Sequence, residues 1–255
     1  MRKAALVLLV ACLFLVVTDT GKAAAPINVP PSLMLHSHSA EFLPEFLDLI
    51  SQEGYTTITY RDYAEALSCR LPQKKYIIIS IDDFGPNGIT PSLRTMTEEL
   101  KKRDMVAVIG LITGRLDAES WNYLSELEKA GFEIASHTLN HSYLPGLSSN
   151  TLKEEVLGSS NVISEHLAKP VSLILPYGGF DQDKRIIEAA QNAGYKFIVG
   201  ISGGEQVDET SNIYYVGRES PNIKSAKKTL VILEERFATQ NNGRCKFQFS
   251  VKKKL

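Results

Sequence analysis

Two adjacent carboxylates, Asp82 and Asp83, close an apolar run, and two imidazoles, His137 and His141, stand four residues apart further along. In Ser136-His137-Thr138-Leu139-Asn140-His141 the i,i+4 spacing lets both rings point at one ion. One carboxylate added to two histidines makes a facial set with open positions for water and substrate. Zinc is the default ion for such a set, because three protein ligands plus water is its usual catalytic arrangement. The second carboxylate is then free to act as a general base on the water. An isolated Asp-Asp pair is usually a surface acid beside a helix cap, and a lone loop histidine is usually a polar surface residue. Four of the five histidines (His36, His38, His137 and His141) fall in loops after predicted strands, alongside the two acids, and that concurrence points to a site. His166 lies inside a predicted helix and reads as structural.

Such residues meet only if a scaffold brings strand ends together. The run Tyr76-Ile77-Ile78-Ile79-Ser80-Ile81 suits a strand buried on both faces, as in a parallel sheet. It is expected to stop on the two acids, with Phe84-Gly85-Pro86-Asn87-Gly88 forming the loop. Further strands are expected at 32–35, 55–59, 106–112, 132–136, 171–175, 196–199 and 213–216. Helices are expected at 40–52, 61–67, 91–102, 118–130, 151–168, 181–192 and 225–238. Pro44 is tolerable only in a first turn, and Gly54, Gly131 and Gly194 serve as stops. The alternation predicts an α/β fold, an irregular parallel (β/α) barrel of seven or eight strands. His36, Asp82 and Asp83, His137 and His141, and Pro176-Tyr177-Gly178 then share the rim at the carboxyl ends of the strands.

The chain of 255 residues, 44% hydrophobic and 22% charged, is ample for a sizeable core. A net charge of −1 leaves no electrostatic footprint for nucleic acid. Residues 1–25 read as a secretory signal peptide: Arg2 and Lys3, an apolar stretch over 4–17, then Ala23-Ala24-Ala25. Pro26 disfavours a cut directly after Ala25, and Leu9-Val10-Ala11-Cys12 offers lipidation as the lesser alternative. Cleavage removes three of 28 basic and one of 29 acidic residues, leaving 25 and 28 and a net charge of −3. The apolar run is too short for a comfortable membrane span, so no integral span is expected after cleavage. The expected location is secreted, periplasmic or cell-surface. Cys69 and Cys245 remain, which permits one disulfide without demanding it. No G-x-x-x-x-G-K-[S/T] loop or G-x-S-x-G elbow is present, which sets aside nucleotide chemistry and a serine hydrolase.

The chain resembles the polysaccharide deacetylases, the NodB-homology group (carbohydrate esterase family 4). Ser80-Ile81-Asp82-Asp83-Phe84-Gly85 is similar to their T-F-D-D-G motif, His137-Thr138-Leu139-Asn140-His141 matches H-[S/T]-x-x-H, and Leu175-Pro176-Tyr177-Gly178 resembles R-x-P-Y-G. Three such motifs in order, over residues 33–218, carry a specificity that none has alone. The resemblance implies Asp82 as catalytic base and Asp83, His137 and His141 as ligands of a divalent metal, zinc foremost, with cobalt or nickel also suited. It implies that Pro176 and Tyr177 line the substrate, the Tyr177 N–H helping to hold the oxyanion. The implied reaction is hydrolysis of N-acetyl groups on N-acetylglucosamine residues of a polysaccharide.

The sequence departs from the family pattern in three places. Ile174 stands where a motif-three arginine would pair with the base, no histidine follows His166, and no D-x-x-D motif is recognisable over 200–218. The circularly permuted biofilm poly-N-acetylglucosamine deacetylases fit better, because their L-M-Y-H segment is similar to Leu33-Met34-Leu35-His36. That resemblance assigns the acid role to His36 rather than His38. Arg218, just past the last predicted strand, is either an ordinary surface arginine or the cation that Ile174 does not supply. The expected organisation is a signal peptide over 1–25, a deacetylase domain over 26–240 and a polar, basic tail over 241–255. The competing reading is a catalytically inactive carbohydrate-binding or scaffold protein on the same barrel.

Overall fold

The computed structural model describes residues 30–67, 74–85, 88–178, 183–201, 206–208 and 212–241. The signal-peptide segment with Cys12, the residues Cys69 and Cys245, and the tail beyond Asn241 lie outside the described residues. Strands and helices alternate: β1 (Ser32–Leu35), α1 (Leu43–Gln52), β2 (Tyr55–Ile58), α2 (Tyr60–Leu67), β3 (Lys75–Phe84), α3 (Pro91–Lys101), β4 (Val108–Leu111) and α4 (Ala118–Lys129). Then follow β5 (Glu133–Ser136), α5 (Ser149–His166), β6 (Ser172–Ile174), α6 (Lys184–Ala193), β7 (Phe197–Ile201), β8 (Gln206–Asp208), β9 (Ile213–Arg218) and α7 (Ala226–Asn241).

Parallel pairing runs β1-β3-β4-β5-β6-β7-β9, and β8 adds an antiparallel edge to β9. β1 lies beside the second half of β3, with Ser32 opposite Ile78 and Leu35 opposite Ile81; β2 lies beside the first half. The sheet curls until its ends meet. Glu219 N–H donates to the Ser32 carbonyl at 2.9 Å, and Met34 N–H donates to the Glu219 carbonyl at 2.8 Å. The architecture is a nearly closed parallel (β/α) barrel, as expected. The antiparallel β8 was not foreseen.

Side-chain alternation sorts each strand between two environments. Ile77, Ile79 and Ile81 of β3 face outward onto α1, α3, α4 and α7. Tyr76 and Ile78 face the lumen with Val108, Ala135, Ile174, Phe197, Val199 and Val216. On the far side α5 and α6 cover Leu173, Ile198 and Ile213. Helix ends follow local chemistry: Thr90, Asp117, Ser148 and Asp183 cap α3, α4, α5 and α6 by accepting backbone N–H groups. Helix α1 begins at Leu43 rather than residue 40, because Pro44 is confined to its first turn.

Near the amino ends of the strands the lumen is plugged by aromatic rings. Phe197 is fully buried, and its ring centroid lies 5.6 Å from those of Tyr60, Tyr63 and Tyr214. Phe197→Ala removes the ring all three share, so unfolding in urea is expected to show a loss of about 3–5 kcal/mol.

Candidate metal centre

The two acids of β3 do different things because the strand does not end where they begin. β3 continues to Phe84, and its register against β4 shifts between Ile81, opposite Ile109, and Phe84, opposite Leu111. Three steps on β3 match two on β4, which is a bulge. Asp82 keeps the lumen-facing phase of Ile78 and Ser80 and is buried. Simple alternation would send Asp83 to the outer face. Instead its backbone takes φ 65°, and its carboxylate meets the histidines at the barrel mouth.

Asp83 Oδ1 lies 3.4 Å from His137 Nε2 and 3.3 Å from His141 Nε2. The three ligand atoms all lie within 4.8 Å of one another. These contacts exceed the roughly 2.7–2.9 Å of a charge-assisted hydrogen bond. Donors bound to zinc at about 2.0–2.2 Å in a tetrahedron sit roughly 3.3–3.6 Å apart. The donor set therefore fits a divalent cation. His137 Nδ1 is 2.9 Å from the Ile174 carbonyl, which can only accept, so Nδ1 carries the proton and Nε2 presents its lone pair. His36 stands on the other side of Asp83, its Nε2 3.8 Å from Oδ2, while His38 is exposed and stacks on the His36 ring.

Electrostatics favour the ligand forms. Contact with His137 holds the Asp83 carboxyl below the usual range; the charges of His36 and His141 add to this, and burial opposes it. Burial, followed by the neighbouring His137, holds His141 below the ordinary imidazole value against the pull of Asp83 and Asp82.

Asp82 has a cation of its own. Arg218 is the last residue of β9, not a residue beyond the strand, and is 1% exposed, which removes the surface-arginine reading. Its Nη1 donates at 2.8 Å to both Asp82 oxygens and at 2.6 Å to Ser80 Oγ, and its Nε donates to the Gly200 carbonyl at 3.1 Å. Gly110 on β4 leaves the room: a Cβ there would sit 3.1 Å from Asp82 Oδ1 and 3.3 Å from Ile174 Cδ1.

A residue that sequence reasoning missed holds the histidine loop. Glu155, buried in α5, accepts from Asn140 N–H at 2.8 Å, Asn140 Nδ2 at 3.1 Å and Ser142 Oγ at 2.9 Å. Its carboxylate thus fixes the residues on both sides of His141. Nothing in the amphipathic pattern of α5 marks it except a charge on the apolar side. After β6, Pro176 is buried and Tyr177 takes φ 58° with its ring out in solvent, 4.8 Å from the His141 ring.

Residues 70–198 match the family model described as polysaccharide deacetylase. The chain is 26% identical over 188 residues to YxkH of Bacillus subtilis, covering 68% of this chain and 65% of that protein. It is 26% identical over 126 residues to the peptidoglycan-N-acetylglucosamine deacetylase of Bacillus cereus, covering 49% of this chain and 56% of that one. The chain thus spans 65% and 56% of the length of these two relatives. The fold is similar to the Streptococcus pyogenes deacetylase PplD, with TM-score 0.65, 21% identity and coverage of 80% of this chain and 98% of that one. It is also similar to IcaB from Ammonifex degensii, with TM-score 0.64, 19% identity and coverage of 81% and 97%.

Two outcomes follow from this geometry. Arg218→Met leaves a buried carboxylate without its partner, so chemical denaturation is expected to show a loss of roughly 3–5 kcal/mol, largely recovered by adding Asp82→Asn. Protonated imidazole cannot ligate, so zinc affinity in titration calorimetry is expected to fall as pH falls. The direction of the His141 shift puts that fall below the ordinary imidazole pKa of about 6.5.

Proposed function

Because the chain belongs to the polysaccharide deacetylase family, we propose that it is a metal-dependent hydrolase that removes N-acetyl groups from N-acetylglucosamine residues of a polysaccharide. The observation that carries the reading is the division of labour between neighbours. Asp83 Oδ1 lies 3.3–3.4 Å from two imidazoles, while Asp82 is paired with Arg218 inside the barrel. The family supplies the hydrolase class.

Asp83, His137 and His141 would hold the cation, with zinc the best match to the donor set and cobalt or nickel alternatives. When bound, a divalent cation supplies Lewis-acid polarisation of the acyl oxygen and lowers the pKa of water towards neutrality. Asp82 takes the proton from the attacking water, and Arg218 keeps its carboxylate oriented. As the C–O bond forms, the Tyr177 N–H donates to the tetrahedral oxyanion, and Pro176 sets the turn before it. His36 gives a proton to the nitrogen as the C–N bond breaks, leaving acetate and a free amine. The resemblance of Leu33-Met34-Leu35-His36 to the biofilm-polymer branch supports that role and favours poly-N-acetylglucosamine over peptidoglycan or chitin. The signal-like segment over 1–25 supports a secreted, periplasmic or cell-surface site of action. No helix of the described residues is long and apolar enough to cross a membrane.

Acetate release from poly-β-1,6-N-acetylglucosamine, peptidoglycan and chitin oligomers tests the reading. Release is expected to stop on chelation, to return with zinc or cobalt, and to drop by about a hundredfold or more in Asp82→Ala. No release from any of the three by metal-loaded protein would leave a carbohydrate-binding barrel without this chemistry.

A further inference from the structure

The two histidines of the trio are held in different ways. His137 is anchored through its ring, with Nδ1 donating to the Ile174 carbonyl at 2.9 Å. Among the described residues no group accepts a hydrogen bond from His141 Nδ1. A ligating imidazole is ordinarily oriented by a partner on its second nitrogen, so the aim of His141 has to come from its backbone. That backbone is strained. His141 has φ 59°, and Thr138, three residues before it, has φ 66°. Neither is glycine, and a loop released from its supports would leave this region.

Helix α5 supplies the constraint. Glu155 and Ser159 lie one turn apart on it, and both are buried. Ser159 Oγ meets Ser136 Oγ at 2.6 Å, and Ser136 Oγ accepts from the Thr138 N–H at 3.2 Å. The Glu155 carbonyl accepts from the Leu139 N–H at 3.2 Å. Its carboxylate accepts from the Asn140 N–H through Oε2, and from Asn140 Nδ2 and Ser142 Oγ through Oε1. Gly114, in the loop after β4, closes on the same residues: a Cβ there would lie 2.5 Å from the Leu139 carbonyl oxygen and 2.8 Å from Asn140 Oδ1. Asn140 is therefore clamped between Gly114 and Glu155, and His141 follows it directly.

A buried carboxylate contributes little to a fold unless a cation meets it. Among the described residues no Lys or Arg pairs with Glu155, so only neutral donors offset its desolvation. Asn140 is exposed and Ser142 half-buried, so water can take the place of the carboxylate on their donors. Removing the acid thus spares the fold and releases His141.

We propose that Glu155 is a positioning residue for the metal: it holds His141 in ligating position before a cation arrives, and so sets metal affinity rather than fold stability. The inference rests on the metal reading of the trio, not on turnover or on the sugar. Zinc binding to the full chain is measured by titration calorimetry, and urea unfolding is followed on the metal-free protein. Glu155→Ala is expected to weaken zinc binding about 10–100-fold while its urea midpoint stays near that of the wild type. Glu155→Gln, which keeps one acceptor oxygen, should fall between the two. In a His141→Ala background, Glu155→Ala should change zinc affinity by less than about twofold, because the ligand it aims is gone. Wild-type zinc affinity in Glu155→Ala, or an equal loss with and without His141, overturns the positioning role. Absence of zinc binding in the wild type overturns the metal reading and this inference with it. Glu155-dependent zinc binding without acetate release overturns the reaction alone and leaves the positioning role standing.

Discussion

The pairing of Asp82 with Arg218 is the interaction on which the interior depends. A lone carboxylate buried in a barrel lumen is costly, and the pair is tolerable only because each oxygen accepts a hydrogen bond from a fixed guanidinium. The contact joins residues 136 apart in sequence and reaches across β1, from β3 to β9. Ser80 Oγ accepts from the same Nη1 and the Gly200 carbonyl accepts from Nε, so three strands besides β1 fix one charge. The same contact that makes the burial bearable also holds a carboxylate at the base of the site.

Against that fixed point the mouth is assembled under strain. Asp83, Thr138, His141 and Tyr177 all have φ between 58° and 66°, a region in which side chains other than glycine are disfavoured by about 1–3 kcal/mol each. Each lies at the carboxyl end of a strand or in the loop after it, and each has support: the bulge for Asp83, Ser136 Oγ accepting from the Thr138 N–H, Glu155 around His141, the Gly178–Ile201 contact beside Tyr177. The barrel supplies rigidity and the loops use it.

The barrel and the candidate metal trio were legible because apolar runs and i,i+4 imidazoles are local signals. Strand ends bearing His36, Asp82 and His137 could be located without knowing which strands pair. What was not legible depends on distance. The expectation that the strand stops on the two acids missed the bulge, since one extra residue in a ladder exists only relative to its partner strand. Glu155 reads as one more charge on a helix until the loop it serves is folded against it. Arg218 could be suspected from its place near a strand end, but its burial follows from closure of β9 on β1. Boundaries of α1, β4, α5 and β9 moved by a few residues where prolines, caps or pairing outweighed periodicity.

Closure between the first and the last barrel strand has a consequence for folding. All three candidate metal ligands and Asp82 precede the Arg218 guanidinium and the seam at Glu219 in the chain. Until Arg218 and Glu219 are in place, the Asp82 carboxylate lacks its cation and the barrel lacks its seam. Completion of the interior depends on contacts of long sequence separation, a class that is slow to form.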